Sequence, residues 1–128
     1  MITKRELKEL TDKINQKLKI YAMSFHLSFH FSEERVNDIR NNPVITIEEL
    51  EDIFEQFIQT HILSVVAMND KECFVICCRK TNIHIPCAIE KKYDRYGGLS
   101  HKNIVITIMR KEKFGTRDQD TLFVINNK

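Results

Sequence analysis

Residues 24–35 read S-F-H-L-S-F-H-F-S-E-E-R and contain an abrupt change of hydrophobic period. From Phe25 to Phe31 every second residue is apolar, which is typical of a strand with one apolar and one polar face. Ser32 suits the N-cap of a following helix, because a serine hydroxyl accepts a hydrogen bond from a free backbone N–H there. The stretch therefore predicts a strand over 21–31 that runs directly into a helix over about 33–41.

Two other segments carry the start signal of an amphipathic helix. Thr3 and Thr46 each stand three residues before a glutamate, the spacing of a capping box. Apolar residues then recur at i, i+3 and i+4, so that one face of each helix can pack on the body of the protein. We predict helices over about 3–19 and 46–60.

Beyond residue 60 the pattern changes to short apolar runs separated by turn residues. Such runs are typical of strands, and they fall at about 62–68, 73–79, 83–90, 103–110 and 121–125. Helices first and hairpin-linked strands later predict an α+β fold in a single domain over 1–128. The N-terminal helices would pack on a four- to five-stranded, mostly antiparallel sheet.

Composition favours a cytoplasmic protein, and no Gly-rich phosphate loop or dinucleotide fingerprint is present, so we expect no cofactor. The chain has 128 residues and a net charge of +2, which neither demands nor excludes nucleic acid. No apolar run reaches membrane-spanning length, and the first ten residues are charged rather than signal-like. The four cysteines form no C-x-x-C motif and suit buried, reduced thiols, whereas a zinc site would need closer ligand spacing.

The first group of candidate site residues lies around the predicted strand and the helix after it. Histidine can act as acid or base near neutral pH, and His26 and His30 would project from one strand face about 13 Å apart. This separation favours one catalyst rather than a tight pair. Arg35, with Arg40 further along, could hold a phosphate at the helix start. Exposed sheet histidines and a salt-bridged Arg35 are the alternatives.

The second group follows the predicted strand over 103–110. Four cations, Arg110, Lys111, Lys113 and Arg117, lie on either side of Phe114, and Thr107 precedes them with a hydroxyl on an otherwise apolar strand. Cations with an interleaved aromatic ring suit single-stranded nucleic acid, with phosphates on the cations and a base on the ring. The alternative is an ordinary charged loop with Phe114 in the core.

Residues 25–35, F-H-L-S-F-H-F-S-E-E-R, followed by 45–57, I-T-I-E-E-L-E-D-I-F-E-Q-F, resemble the N-terminal half of the phage RegB-type endoribonucleases. The order of elements is also similar to that of the RelE-like, or barnase-EndoU-colicin, group of small RNases. The resemblance departs from the family in two places. His30 stands five residues before Arg35 instead of four, and Ile58 stands where the family has its second catalytic histidine.

The resemblance implies a metal-independent endoribonuclease that cleaves messenger RNA, including RNA on the ribosome. His30 would be the acid or base, Arg35 would bind phosphate, and His61 would replace the second histidine. His26, Arg40, Thr107, Arg110, Lys111, Lys113 and Phe114 would contact RNA.

Two binding functions stand beside this enzyme hypothesis. One is a phage regulator or inhibitor that docks on a host protein through the charged first helix or a sheet edge. The other is a single-stranded nucleic-acid binder that uses Phe114 and the cations around it. The sequence leaves the oligomeric state and the substrate sequence open.

Overall fold

A computed structural model gives the fold of residues 1–111 and 121–126, without the side chains of residues 29–31. The helices are α1 (Lys4–Leu18), which ends in a 3-10 turn (Lys19–Tyr21), α2 (Phe29–Val36) and α3 (Ile47–Val66). The strands are β1 (Met23–His26), β2 (Cys73–Cys78), β3 (Ile83–Tyr93), β4 (Leu99–Val105), β5 (Met109–Arg110) and β6 (Thr121–Ile125).

The α+β class is confirmed, but the sheet is mixed rather than mostly antiparallel. Six strands occur among the described residues, in the order β1-β4-β3-β2-β6, with β5 beside the start of β3. The pairs β1–β4 and β2–β6 are parallel, whereas β3 is antiparallel to β2, β4 and β5. Sequence predicted only the hairpin pairings, because a parallel pair joins segments that are far apart along the chain.

Both capping boxes form as their spacing predicts. The Thr3 hydroxyl accepts a hydrogen bond from the N–H of Glu6 at 3.1 Å, and Thr46 accepts one from Glu49 at 3.2 Å. The prediction of a helix end at residue 60 and a strand over 62–68 is wrong. Residues up to Val66 continue α3, because the stripe that α3 buries against the sheet extends beyond residue 60.

The predicted boundary between strand 21–31 and helix 33–41 is also wrong. The strand ends at His26 and α2 begins at Phe29, so Ser32 lies inside the helix, where its N–H bonds to the Ser28 carbonyl at 2.7 Å. The alternation after His26 was misleading, because a helix of eight residues can also carry alternating apolar residues. His26 and His30 therefore do not share a strand face.

Helix α2 ends earlier than predicted because a side chain takes over its last carbonyls. The Asn41 amide donates to the carbonyls of Arg35 and Val36 at 3.0 and 3.1 Å. In the sheet, β3 continues past the predicted end at residue 90 as far as Tyr93. The predicted strand 103–110 is two strands, β4 and β5, with a break between them.

The helices cover one face of the sheet, and the core between them is aromatic. Phe25 of β1 meets Phe54 of α3 at 5.1 Å between ring centroids, and Phe57 stacks on Phe74 of β2 at 5.7 Å. Beside Phe25 the same face carries Asn103, because the two residues are register partners. No helix of the described chain is long and apolar enough to cross a membrane.

Side chains of α1 and α3 form hydrogen bonds with backbone groups of the two edge strands, β1 and β6. The Asn15 amide accepts from the N–H of Phe25 at 2.8 Å and donates to its carbonyl at 3.1 Å, as a neighbouring strand would. At the opposite edge the His61 ring bonds to the carbonyl of Val124 at 2.9 Å. These contacts leave fewer edge groups free to pair with another strand.

Candidate functional site

A cleft of about 600 Å³ lies between the end of α2 and the chain that links β4 to β5. Its lining combines cations, one carboxylate and an apolar strip. The described lining residues are Arg35, Asp38, Arg40, Asn41, Ile106, Thr107, Ile108, Met109, Arg110 and Lys111. We call this site the cleft.

The break between β4 and β5 forms one wall of the cleft. The N–H of Ile106 still bonds to the Pro86 carbonyl at 2.9 Å, and the chain rejoins β3 where Met109 pairs with His84. Between these points the backbone leaves the sheet ladder and turns its side chains toward α2. Ile106 is 46% exposed and Ile108 is buried.

Five residues that the sequence predicted as site residues come together here. They are Arg35, Arg40, Thr107, Arg110 and Lys111. Two of the three predicted histidines, His26 and His61, are not among the lining residues. The side chain of the third, His30, and the whole of Lys113 and Phe114 lie outside the described part of the structure.

Arg110 is held by the protein itself. Its guanidinium donates to the carbonyls of Pro43 and Thr81, each at 2.8 Å, and to both carboxylate oxygens of Glu49 at 2.8 and 3.1 Å. Its backbone N–H donates to the Asn41 amide oxygen at 2.8 Å. With only 10% of its side chain exposed, Arg110 clamps the loop after α2 onto the start of α3. The predicted role in phosphate binding has no support from these contacts.

Glu49 stays ionised in this clamp. Burial alone would raise its pKa, but hydrogen bonds from Arg110 and from the N–H of Thr46 together outweigh burial and lower the pKa of the carboxyl. Glu49 thus completes the capping box of α3 and neutralises Arg110 with one side chain.

Arg40 is paired with Asp38 at the surface of the cleft. The guanidinium makes two parallel bonds, Nε to Oδ1 at 3.0 Å and Nη2 to Oδ2 at 2.8 Å. Hydrogen bonds from the Arg40 side chain and backbone hold the pKa of Asp38 far below its usual range. The guanidinium N–H groups that bind Asp38 are the same groups that would bind a phosphate.

Lys111 and Arg35 are two further exposed cations of the cleft. The backbone N–H of Lys111 bonds to the Asn82 carbonyl at 2.9 Å, which fixes where its side chain begins. Within residues 1–111 and 121–126 its ammonium has no hydrogen-bond or ion-pair partner. Arg35 is exposed at the last turn of α2.

The structure places His61 away from the cleft. Its ring lies 5.0 Å from the Phe123 ring and 6.0 Å from the Phe57 ring, and its Nε2 lies 2.9 Å from the Val124 carbonyl oxygen. Since a carbonyl oxygen only accepts, the ring nitrogen must donate there. These contacts fasten β6 to α3 and leave that nitrogen unable to serve as a base.

His26 occupies a different position from His61. It is exposed at the end of β1, beside its register partner Ile104, two residues before Ile106 of the cleft lining. The side chains of His26, Lys102 and Ile104 lie on the face of the sheet that the helices do not cover. We call the surface formed by His26, Lys102, Ile104 and Ile106 the open face.

The sequence analysis predicted the cations that line the cleft, but it missed Asn41, whose hydrogen bonds hold the cleft together. Asn41 closes α2 and bonds to Arg110 69 residues away. The run N-N-P at 41–43 signals a helix end, and an asparagine amide there is a common terminator. The predicted helix end at about residue 41 uses that signal, but nothing local indicated the contact of Asn41 with β5.

The cysteines and other metal-binding residue types form no cluster of ligands in the described part of the chain. Cys77, Cys78 and Cys87 are buried and Cys73 is half-buried, all as free thiols. Burial raises the pKa of the Cys77 and Cys87 thiols, so they stay protonated at neutral pH.

Comparisons with protein-family models, with curated proteins and with solved structures gave no match to this chain. The resemblance of residues 25–57 to the RegB-type and RelE-like endoribonucleases therefore stays a prediction.

Proposed function

We propose that this protein binds single-stranded RNA in the cleft. The observation that carries the proposal is the composition of the lining, in which four cations and one carboxylate accompany an apolar strip that is exposed at Ile106. Cations bind phosphates, and apolar side chains offer a surface for bases. The choice of RNA over DNA rests on the resemblance in residues 25–57.

The cations divide into those used by the protein and those exposed to a ligand. Arg110 is neutralised by Glu49, and Arg40 is paired with Asp38. Lys111 is exposed and holds no acid in the described structure, so it is the strongest candidate for a phosphate contact. Met109 and Ile106 would lie against the base or ribose of the same nucleotide.

Binding of a labelled twelve-nucleotide single-stranded RNA, measured by fluorescence anisotropy over a salt series, tests the proposal. Lys111→Ala should weaken binding and reduce the slope of log K against log salt by about 0.7, the contribution of one phosphate contact on a single strand. Lys8→Ala is the matched control, because Lys8 is an exposed lysine of α1 paired with Asp12.

Three results would contradict the proposal. They are an absence of binding at low salt, an affinity that does not change with salt, and equal losses in Lys111→Ala and Lys8→Ala. Equal affinity for DNA of the same sequence would remove the preference for RNA while leaving the site in place.

Metal-independent RNA cleavage is a second candidate, and the position of His26 favours it. An exposed imidazole beside the cleft could take the proton of a 2′-hydroxyl, with a cleft cation stabilising the charge on the phosphate. Incubation of long RNA with the protein in EDTA should then give fragments that His26→Ala or His30→Ala abolishes. Intact RNA after long incubation, with and without ribosomes, would leave binding as the function.

A further inference from the structure

The tip of the β3–β4 hairpin exposes two tyrosine rings. Tyr93 is 71% exposed and Tyr96 is 82% exposed, although aromatic rings of this size usually bury most of their surface. They stand within four residues of each other at the end of the sheet. Exposed rings at a hairpin tip offer a surface on which the base of a ligand can stack.

The turn that carries Tyr96 is tightly held. The Asp94 carboxylate accepts from the N–H groups of Tyr96 and Gly98, each at 2.8 Å, and the Asp94 N–H donates to the Gly98 carbonyl at 2.8 Å. A Cβ at Gly98 would lie 2.5 Å from an oxygen of Asp94, so a larger residue there would displace the carboxylate that holds the turn. Gly97 has a φ of +82°, which also favours glycine. The chain therefore presents Tyr96 in a fixed position.

Cations accompany the exposed rings. The Arg95 guanidinium carbon lies 5.1 Å from the centroid of the Tyr96 ring. Lys92 is exposed and bonds to Glu90 at 2.8 Å, and Lys102 lies on the neighbouring strand opposite Glu90. Rings with neighbouring cations suit an anionic, aromatic ligand, which is the chemistry of a single nucleic-acid strand.

Strand β4 connects this tip to the cleft. Gly98 and Ile106 are eight residues apart, which is about 26 Å in a strand. The surface between them is the open face, where Lys102, Ile104 and His26 follow one another. A single strand that begins in the cleft can thus run along β4 to the hairpin tip.

We propose that the hairpin tip, residues 92–98, is a second contact for single-stranded RNA, with a base stacked on Tyr96. The inference rests on the proposed function and extends it, because it sets a minimum length for the ligand. A trinucleotide, at about 3.4 Å per stacked nucleotide, covers only about 10 Å. A twelve-nucleotide strand reaches both contacts.

Oligonucleotides of these two lengths test the inference with each variant. For the twelve-nucleotide RNA, Tyr96→Ala should lower affinity about tenfold, the usual effect of losing one stacked base. For the trinucleotide, affinity should not change. Tyr96→Phe should keep the affinity, because the ring is retained, and Leu63→Ala is the control for loss of an exposed apolar side chain on α3.

Intrinsic fluorescence gives a second measurement, because the chain has three tyrosines and no tryptophan. The longer RNA should quench the tyrosine signal, the trinucleotide should not, and Gly98→Ala should reduce the quenching while keeping both rings. Thermal melting checks that each variant folds.

Two outcomes would overturn the inference. If the wild type binds the longer RNA and Tyr96→Ala binds it equally well, the hairpin tip is not a contact, and the cleft proposal stands. If the wild type binds neither RNA, the proposed function fails and the inference fails with it.

Discussion

On the outer surface of α1 and α3, several charged side chains are paired within the protein, whereas around the cleft cations outnumber acids. Lys13 bonds to Glu51, and Lys17 bonds to Glu55 at 3.0 Å. In the cleft, Asp38 is the one carboxylate among ten described lining residues, four of which are cations. The two surfaces use the same residue types, but cations are in excess only among the described residues of the cleft lining.

This difference shows that charge composition does not identify a binding surface. The whole chain carries only +2, and α1 is as rich in lysine as the segments around the cleft. What distinguishes the cleft is that its lining combines four cations and a single carboxylate with apolar side chains. Each of the following variants alters one side of this comparison.

The largest effect should come from Arg110→Ala. Arg110 lines the cleft but is paired internally, and its loss would leave Glu49 and the carbonyls of Pro43 and Thr81 without their donor. Removal of one partner from a buried ion pair usually lowers stability by about 3–5 kcal/mol. Urea denaturation measures the change in the free energy of unfolding.

Arg40→Ala is the control for this prediction, because its guanidinium lies in the same cleft with 78% of the side chain exposed. We expect no resolvable change in the urea midpoint. If Arg110→Ala kept full stability but lost RNA binding, Arg110 would belong with the ligand-binding cations after all.

We expect the free energy of unfolding to fall as the pH is lowered, because of a histidine on the face of the sheet that the helices cover. His101 is buried there, its Nε2 donating to the Asn103 amide oxygen at 3.0 Å. Burial lowers the pKa of His101 below 6.5 and the nearby Lys91 lowers it further, against the opposing effect of the Asn103 bond. The unfolded chain therefore binds the proton more tightly than the folded chain does.

This contribution to stability is complete above the unfolded pKa near 6.5 and is lost as the pH falls through the lower folded pKa. The loss per site is at most about 1.4 kcal/mol per pH unit. His101→Gln should flatten the dependence of unfolding free energy on pH below 6.5, measured by urea titration. His84, whose pKa burial also lowers, would account for the part that remains. A pH profile in His101→Gln identical to that of the wild type would contradict this account.

Local chemistry explains which parts of the fold could be predicted. The helix starts at Thr3 and Thr46 depend on contacts between residues three apart, and both were predicted. The end of α3 depends on a sheet that forms later in the chain. Residues 62–66 contain β-branched side chains that suit a strand, and only their burial against that sheet keeps them helical.

The candidate site likewise combines features that depend on local sequence with features that depend on tertiary contacts. Sequence located cations at 110 and 111, but it could not tell which of the two was available. Arg110 is taken by acceptors 29 to 67 residues away, whereas Lys111 is exposed. His61 was predicted as a catalyst for a similar reason, since its partner, Val124, lies 63 residues along the chain. Residue types are local, but their availability depends on tertiary contacts.

Two charge-reversal variants distinguish the effect of a charge in the cleft on RNA binding from the effect of the net charge. Lys111→Glu and Lys13→Glu change the net charge equally, but only the first lies in the cleft. We expect Lys111→Glu to weaken binding of the twelve-nucleotide RNA about tenfold or more, because a phosphate contact becomes a repulsion. Lys13→Glu should leave affinity within about twofold, as expected for a charge remote from the ligand. Equal losses in anisotropy titrations would mean that only the total charge matters.

The smallest effect should come from Asp38→Asn, which removes the carboxylate from the cleft lining and releases the Arg40 guanidinium. An exposed ion pair is weak, so a phosphate that no longer competes with Asp38 should bind only about threefold more tightly. Asp12→Asn is the matched control, because it makes the same charge change in a surface pair with Lys8. Tighter binding in Asp38→Asn alone would show that Asp38 competes with the ligand. Weaker binding would show that it orients Arg40 for phosphate, which would make the pair part of the binding surface.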